Sequence, residues 1–315
     1  RRLLVACGAA AGIAAAYNAP IAGALFVGEV VMGSIAMESF GPLLVAAVTA
    51  NATVHHFLGY GPIFEIPVFT FTSNWELVLY ALLGVLLGHA APSFLALLDG
   101  AKRAFGRLPV SLSLRLGVGG LIVGLLSLPY PQVWGNGYSV VDGILHGNVV
   151  GWMLAGVLVA KLASTAATVG SGAVGGVFTP TLFVGAALGA LVATAAQPLL
   201  PHIITATGGY ALVGMGALLA ATTHAPLMSI LMIFEMTLDY QVVLPLILAC
   251  VTAHYTAKVY RRGSSVYAEA LHPPTPDAVQ DWRTRTVGQL LKPAAAVVTR
   301  DMTVREVLAH LPARP

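Results

Sequence analysis

Charge is what this sequence has least of. Aspartate, glutamate, lysine and arginine make up 9% of its 315 residues, against 57% hydrophobic residues and a mean hydropathy of +0.83. A soluble domain carries about a quarter charged residues, so a water-exposed globule is excluded and a membrane protein implied. A formal net charge of +3 over this length leaves no basic patch for nucleic acid. The two cysteines, Cys7 and Cys250, sit in apolar segments as small buried thiols, which excludes a disulfide framework and redox chemistry. No signal-peptide pattern opens the chain, and residue 1 is Arg, so it reads as a fragment.

The little charge present is unevenly placed. Of 29 formal charges, 14 lie in the last 58 residues, from Lys258 onward. One chain therefore combines a large intramembrane body with a polar tail. Apolar helices are predicted over 3–17, 20–32, 41–58, 76–98, 114–128, 149–169, 180–197, 209–222, 226–237 and 242–260. Several fall short of the roughly 20 residues that a full crossing needs. Pro20, Pro180, Pro226 and Pro245 open segments just after polar or glycine-rich breaks, which points to half-helices and re-entrant pieces packed inside protein. Small residues at 9–12 and 185–189 allow close helix contacts. Lys102, Arg103, Arg107 and Arg115 fall in one connection, and Lys258, Arg261 and Arg262 follow the last apolar helix, so both regions are expected on the cytoplasmic side.

The most informative tract is Gly170-Ser-Gly-Ala-Val-Gly-Gly-Val-Phe-Thr-Pro180. Backbone that leaves the helix at membrane depth must line a cavity or a solute path. A glycine-rich turn running into Pro180 suits the start of a new helix, with proline at its first position, and the free amides there favour an anion. Residues 170–175 also match the GxGxxG fingerprint, which is rejected because an apolar helix precedes it and the next acid is Glu235.

The sequence repeats itself. Asn18-Ala19-Pro20 leads to Glu29 and His224-Ala225-Pro226 leads to Glu235, with nine residues from proline to glutamate in each, at an offset of 206 residues. Such similarity is the mark of a duplicated transporter fold. Carried back by the same offset, the counterpart of the glycine-rich tract falls about 35 residues before Arg1, and some 200 upstream residues are expected. After Tyr267 a proline-rich hinge, His272-Pro-Pro-Thr-Pro276, leads into soluble-type sequence, with a short strand at Val297-Val298-Thr299 and a capping box at Thr303-Val-Arg-Glu306.

These blocks resemble the CLC family of chloride channels and proton-coupled chloride transporters. The match is carried by Gly8-Ala-Ala-Ala-Gly-Ile-Ala-Ala-Ala-Tyr-Asn-Ala-Pro20 with Glu29, by Gly170-Ser-Gly with Gly176-Val-Phe-Thr-Pro180, by Ala225-Pro226 through Phe234-Glu-Met-Thr237, and by Ser265-Val-Tyr267. The tail from Thr286 to Leu311 resembles the first part of a CBS module. The resemblance implies an all-α polytopic membrane protein, an inverted-repeat helical bundle with re-entrant half-helices, followed by the start of an α/β CBS domain. Its division would be a membrane domain at 1–271, a linker at 272–285 and a truncated cytoplasmic CBS domain at 286–315. It further implies a homodimer with one pore per subunit, a bacterial inner membrane location with the tail cytoplasmic, and a nucleotide at a complete CBS module.

The site residues follow from the same resemblance. The amides of Val177 and Phe178 would face chloride and the hydroxyl of Tyr267 would donate to it, with Gly176, Thr179 and Pro180 shaping the path. Uncharged donors suit a weakly basic anion, because a full countercharge would trap it. No cofactor, catalysis or metal is implied, chloride being the ligand. Glu29 and Glu235, ionisable and set in apolar segments, are functional candidates by position, yet their equivalence in the two repeats favours capping of backbone near helix ends. Proton-coupled members carry a second glutamate where this sequence has Val30, and channel-type members carry valine there. The departure favours passive chloride conduction, with a proton-coupled antiporter as the alternative and an inverted-repeat carrier of another solute or a CBS-regulated scaffold behind it. Val174 stands where many members carry proline. His55-His56 is expected as a polar or interfacial pair, since neighbours on a helix point apart. Lys161 either snorkels to an interface or adds positive potential to the anion path. Trp75, Trp134 and Trp152 are placed in the interfacial belt.

Overall fold

The structure is a computed structural model that describes residues 2–33, 37–59, 61–64, 66, 74–204 and 206–260. Tyr267, the hinge and the CBS-like tail lie outside the described residues. The chain divides after Leu271, and every described residue belongs to the first unit.

The described residues form helices joined by turns: α1 (Arg2–Tyr17), α2 (Pro20–Phe26) continued by a π-helical turn at Val27–Val31, α3 (Met37–Leu58), α4 (Asn74–Gly106), α5 (Leu112–Ser127), α6 (Tyr138–Leu145), α7 (Gly151–Ser171), α8 (Phe178–Ala196), α9 (Thr207–Thr223), α10 (Pro226–Thr237) and α11 (Val243–Tyr260). Among the described residues four stretches, Trp75–Gly106, Gly151–Ser171, Phe178–Ala196 and Tyr240–Tyr260, are long and apolar enough to cross a membrane. Arg2–Tyr17, Pro20–Val31, Leu112–Ser127 and Pro226–Thr237 are apolar but shorter, as the proline-opened segments predict.

The sequence reading departs from the structure in three places. Helix α4 runs on to Gly106, so Lys102 and Arg103 stand on its last turns and Arg115 on the first turn of α5, and of the four basic residues Arg107 alone falls in the connection. Helix α6 has no counterpart in the prediction, because its eight residues, set between Gly137 and Gly147, both at positive φ, are too few for a periodic signal. Pro180 is the third residue of α8, not the first. It still costs the helix nothing, since the first-turn amides have no intrahelical acceptor.

At the centre, α9 is buried on all sides, every residue from Tyr210 to Thr223 being buried. An all-round apolar helix is stable only in such a place. It lies against α8 with almost no side-chain layer between the backbones. A Cβ added at Gly185 would strike Gly214 and Met215, and one at Gly189 would strike Tyr210 and Ala211. Helix α4 approaches α11 in the same manner, through Gly84 against Ala249 and Thr252 and Gly88 against Ala253 and Thr256. Small residues make these approaches because lipid offers no hydrophobic drive between helices and contact distance decides association. Gly189→Val is expected to lower stability by about 2 kcal/mol by forcing α8 and α9 apart. Denaturant titration of the detergent-solubilised protein checks it, and an unchanged midpoint would contradict the close approach.

The sequence repeat is a structural repeat. Helix α1, a left-handed residue at Asn18 (φ 48°) and α2 answer α9, a left-handed residue at His224 (φ 58°) and α10. The alanines that follow share one conformation, φ −135° and ψ 78° at Ala19 against φ −122° and ψ 76° at Ala225. Each left-handed turn reverses the chain so that proline opens the second helix of its pair.

Candidate anion site

Neither Ala19 nor Ala225, the residues at the N-caps of α2 and α10, has a side chain that could accept from the first-turn amides. The acceptors come from the other repeat. Glu235, at the end of α10, takes the amides of Ile21 (3.0 Å) and Ala22 (2.8 Å) at the start of α2. Glu29, in the π-helical turn after α2, takes the amide of Met228 (2.8 Å) and that of Leu227 at the start of α10. The positions correspond exactly under the repeat offset, so α2 and α10 lie antiparallel and each repeat caps the other. A carboxylate at a helix N-terminus is doubly favoured, by charge-assisted hydrogen bonds and by the helix dipole. This is the capping role that the repeat suggested, with a partner that sequence could not name. Val30 beside Glu29 is packed into the apolar core.

The glycine-rich tract is a break, as its composition predicts. Helix α7 ends at Ser171, and Gly172 turns left-handed (φ 89°) while its amide and that of Ala173 bond back to Val169 and Thr168. These are the two bonds of a Schellman stop, which needs a residue free to take positive φ. Six residues later α8 begins. Its first intrahelical bond runs from the Thr181 amide to the Val177 carbonyl (3.0 Å). The amides of Val177, Phe178 and Thr179 therefore have no intrahelical acceptor, and Pro180 offers none to satisfy. They form a donor-rich, positive helix end.

That end meets a cavity of about 650 Å³, lined by Tyr17, Tyr138, Lys161, Ser164, Thr165, Thr168, Gly175, Gly176, Thr179 and Pro180, among others. The Phe178 ring is packed into the core, 4.7 Å from Tyr17 and 6.2 Å from Phe26 by ring centroids, and neither Val177 nor Phe178 is among the residues that line the cavity. Tyr17 and Thr179 join hydroxyls at 3.0 Å. With hydroxyls, amides and one ammonium on its walls and no described carboxylate among its lining residues, the cavity can solvate an anion without protein countercharge at the helix end itself.

Of the predicted residues, Gly176, Thr179 and Pro180 line the cavity and Val177 and Phe178 stand between them at the helix start, while Glu29 belongs to the α2–α10 contact and Val30 to the core. Tyr267 lies outside the described residues. Tyr17, Tyr138, Ser164 and Thr165 were not singled out in the sequence, where a hydroxyl on an apolar helix gives no sign of which neighbour it faces. Lys161 does not snorkel: it is 3% exposed and donates to the carbonyls of Val133 (3.0 Å) and Gly135 (2.9 Å). Trp75 and Trp152 are exposed as expected, while Trp134, also exposed, lines the cavity mouth. His55 points to the Asn18 carboxamide, and no group of metal-ligand residues occurs among the described residues.

Comparison with known proteins agrees with this architecture. The chain is 60% identical over 270 residues to a ClcB-like protein of Ralstonia nicotianae, covering 86% of this chain. It is 43% identical over 266 residues to the Voltage-gated ClC-type chloride channel ClcB of Escherichia coli, covering 84% of this chain. It spans 63% of the length of each of these curated relatives. Among solved structures, a slow cyanobacterial Cl⁻/H⁺ antiporter superposes with a TM-score of 0.79 at 32% identity, over 86% of this chain and 64% of the other. The family profile described as Voltage gated chloride channel matches residues 1–258, and the chain belongs to that family, the CLC family.

Proposed function

We propose that this chain forms the anion-conducting part of a CLC chloride channel in a bacterial inner membrane, moving chloride passively and catalysing no reaction. One observation carries the proposal: the break between α7 and α8 leaves the amides of residues 177–179 without intrahelical acceptors, at a helix start whose Gly176, Thr179 and Pro180 line a polar cavity, where hydrocarbon would otherwise require unbroken helix. Chloride is held there by dipoles and hydroxyls, strongly enough to shed water and weakly enough to leave. Val177 and Phe178 supply amides, Gly176 removes the side chain that would block access, and Tyr267 adds its hydroxyl from the segment after α11. The working unit is a homodimer whose cytoplasmic tail, completed as a CBS module, takes a nucleotide.

Val30 supports conduction without proton coupling, since an alkyl side chain packed in the core carries no proton. A second reading is favoured by one comparison, the 32% identical structure being that of a Cl⁻/H⁺ antiporter. The full-length protein in liposomes decides between them. Chloride efflux with a reversal potential set by the chloride gradient alone is the expected result, and protons driven uphill by a chloride gradient would establish the antiporter. Absence of chloride flux, with uptake of an organic solute in its place, would overturn both.

A further inference from the structure

Among the described residues Lys161 is a buried cation without a carboxylate partner. It lies on α7, ten residues before the helix stops at Ser171, and is 3% exposed. An ammonium has three N–H donors. Two are spent on the carbonyls of Val133 and Gly135, and its Nζ stands over the Phe183 ring, 5.3 Å from the centroid. Among the described residues no carboxylate pairs with it. Carbonyl dipoles and an aromatic face soften the charge but do not cancel it, and a buried net charge is costly unless something of opposite sign is near.

One turn further along the same face is Ser164, 4% exposed, whose hydroxyl has no hydrogen-bond partner among the described residues. This departs from its neighbours. Thr168 and Ser171 on the same helix and Thr181 and Thr194 on α8 all donate to a carbonyl of the preceding turn. A buried hydroxyl that forgoes this bond calls for another acceptor. Both Lys161 and Ser164 line the same cavity as the start of α8.

We infer that Lys161 and Ser164 form a second subsite for a small monovalent anion on the α7 wall, separate from the amides of Val177 and Phe178. The third ammonium N–H and the serine hydroxyl are its donors. The subsite raises the local anion concentration and delivers chloride to the helix end, while the sharing of the ammonium with two carbonyls keeps it from trapping the ion. This assignment rests on the anion-conducting reading above.

The test uses crystals of the full-length protein soaked in bromide, together with flux in liposomes. Two anomalous peaks are expected in the unsubstituted protein, one within hydrogen-bond reach of Lys161 and one at the α8 N-terminus. Lys161→Met removes the first and leaves the second, and it lowers chloride flux about fivefold at low salt, with the deficit shrinking as ionic strength rises because the lost interaction is a screened charge. Lys161→Arg restores the flux and Ser164→Ala weakens the first peak. If Lys161→Met does not fold, Ser164→Ala decides alone. No peak near Lys161 at saturating bromide, a peak unchanged by Ser164→Ala, or a flux deficit independent of salt would each overturn the subsite. Absence of flux in the unsubstituted protein would instead strike the channel reading, and the bromide map would still decide the subsite.

Discussion

Glu235→Ala is expected to lower stability by about 3 kcal/mol, because the buried amide of Ala22 and the part-buried amide of Ile21 lose a charged acceptor at once and a buried orphaned donor costs about 1–3 kcal/mol. The Glu235 side chain spans the two repeats, so the loss falls on the start of α2, whose own N-cap is an alanine without an acceptor. Glu29→Ala removes the mirror-image cap from α10 and should cost a similar amount. The two capped helices pack on each other, so the double variant should be destabilised by less than the sum of the single variants. Glu235→Gln keeps the shape and one carbonyl acceptor and should fall between the extremes. Denaturant titration in detergent measures all four. A Glu235→Ala midpoint within error of the unsubstituted protein would refute the exchanged caps, as would strictly additive behaviour of the pair.

Replacing the peptide nitrogen of Phe178 with an ester oxygen should weaken chloride binding by about 2.5 kcal/mol, roughly seventyfold, the range of a hydrogen bond to a charged group. The ester deletes one N–H and keeps the aromatic ring against Tyr17 and Phe26, so packing is undisturbed. No helix bond is lost either, because the first intrahelical amide of α8 belongs to Thr181. Stability should therefore stay level while affinity falls, which a side-chain substitution at this position could not separate. Calorimetric titration of chloride, alongside the thermal midpoint, reads both quantities. Equal chloride affinity for ester and amide would remove the Phe178 nitrogen from the site, and a parallel fall in stability would mark it as structural.

Much of the helical pattern could be read locally. Glycine at 172, 175 and 176 and proline at 20, 180 and 226 punctuate apolar sequence, and the breaks fall where those residues stand because backbone freedom and missing donors act within a turn of the chain. The repeat was legible for the same reason, a left-handed residue, an alanine and a proline recurring at one spacing. Helix α6 escaped because eight residues hold too little periodicity, and the full extent of α4 escaped because the apolar run stops at Leu98 while the helix continues through Asp99, Gly100, Lys102 and Arg103 to Gly106.

The amino-acid sequence by itself determined that this chain lives in a membrane, that its backbone breaks between Ser171 and Phe178, and that two halves share one plan. These depend on composition and on torsional preferences that each residue brings with it. Only the tertiary structure decided that Glu29 and Glu235 exchange helices across the repeat, that Lys161 is buried beside Ser164, and that both face the cavity at the start of α8. Those pairings join residues far apart in the chain, and the energy of burying a charge depends on what the fold places next to it, which no local pattern encodes.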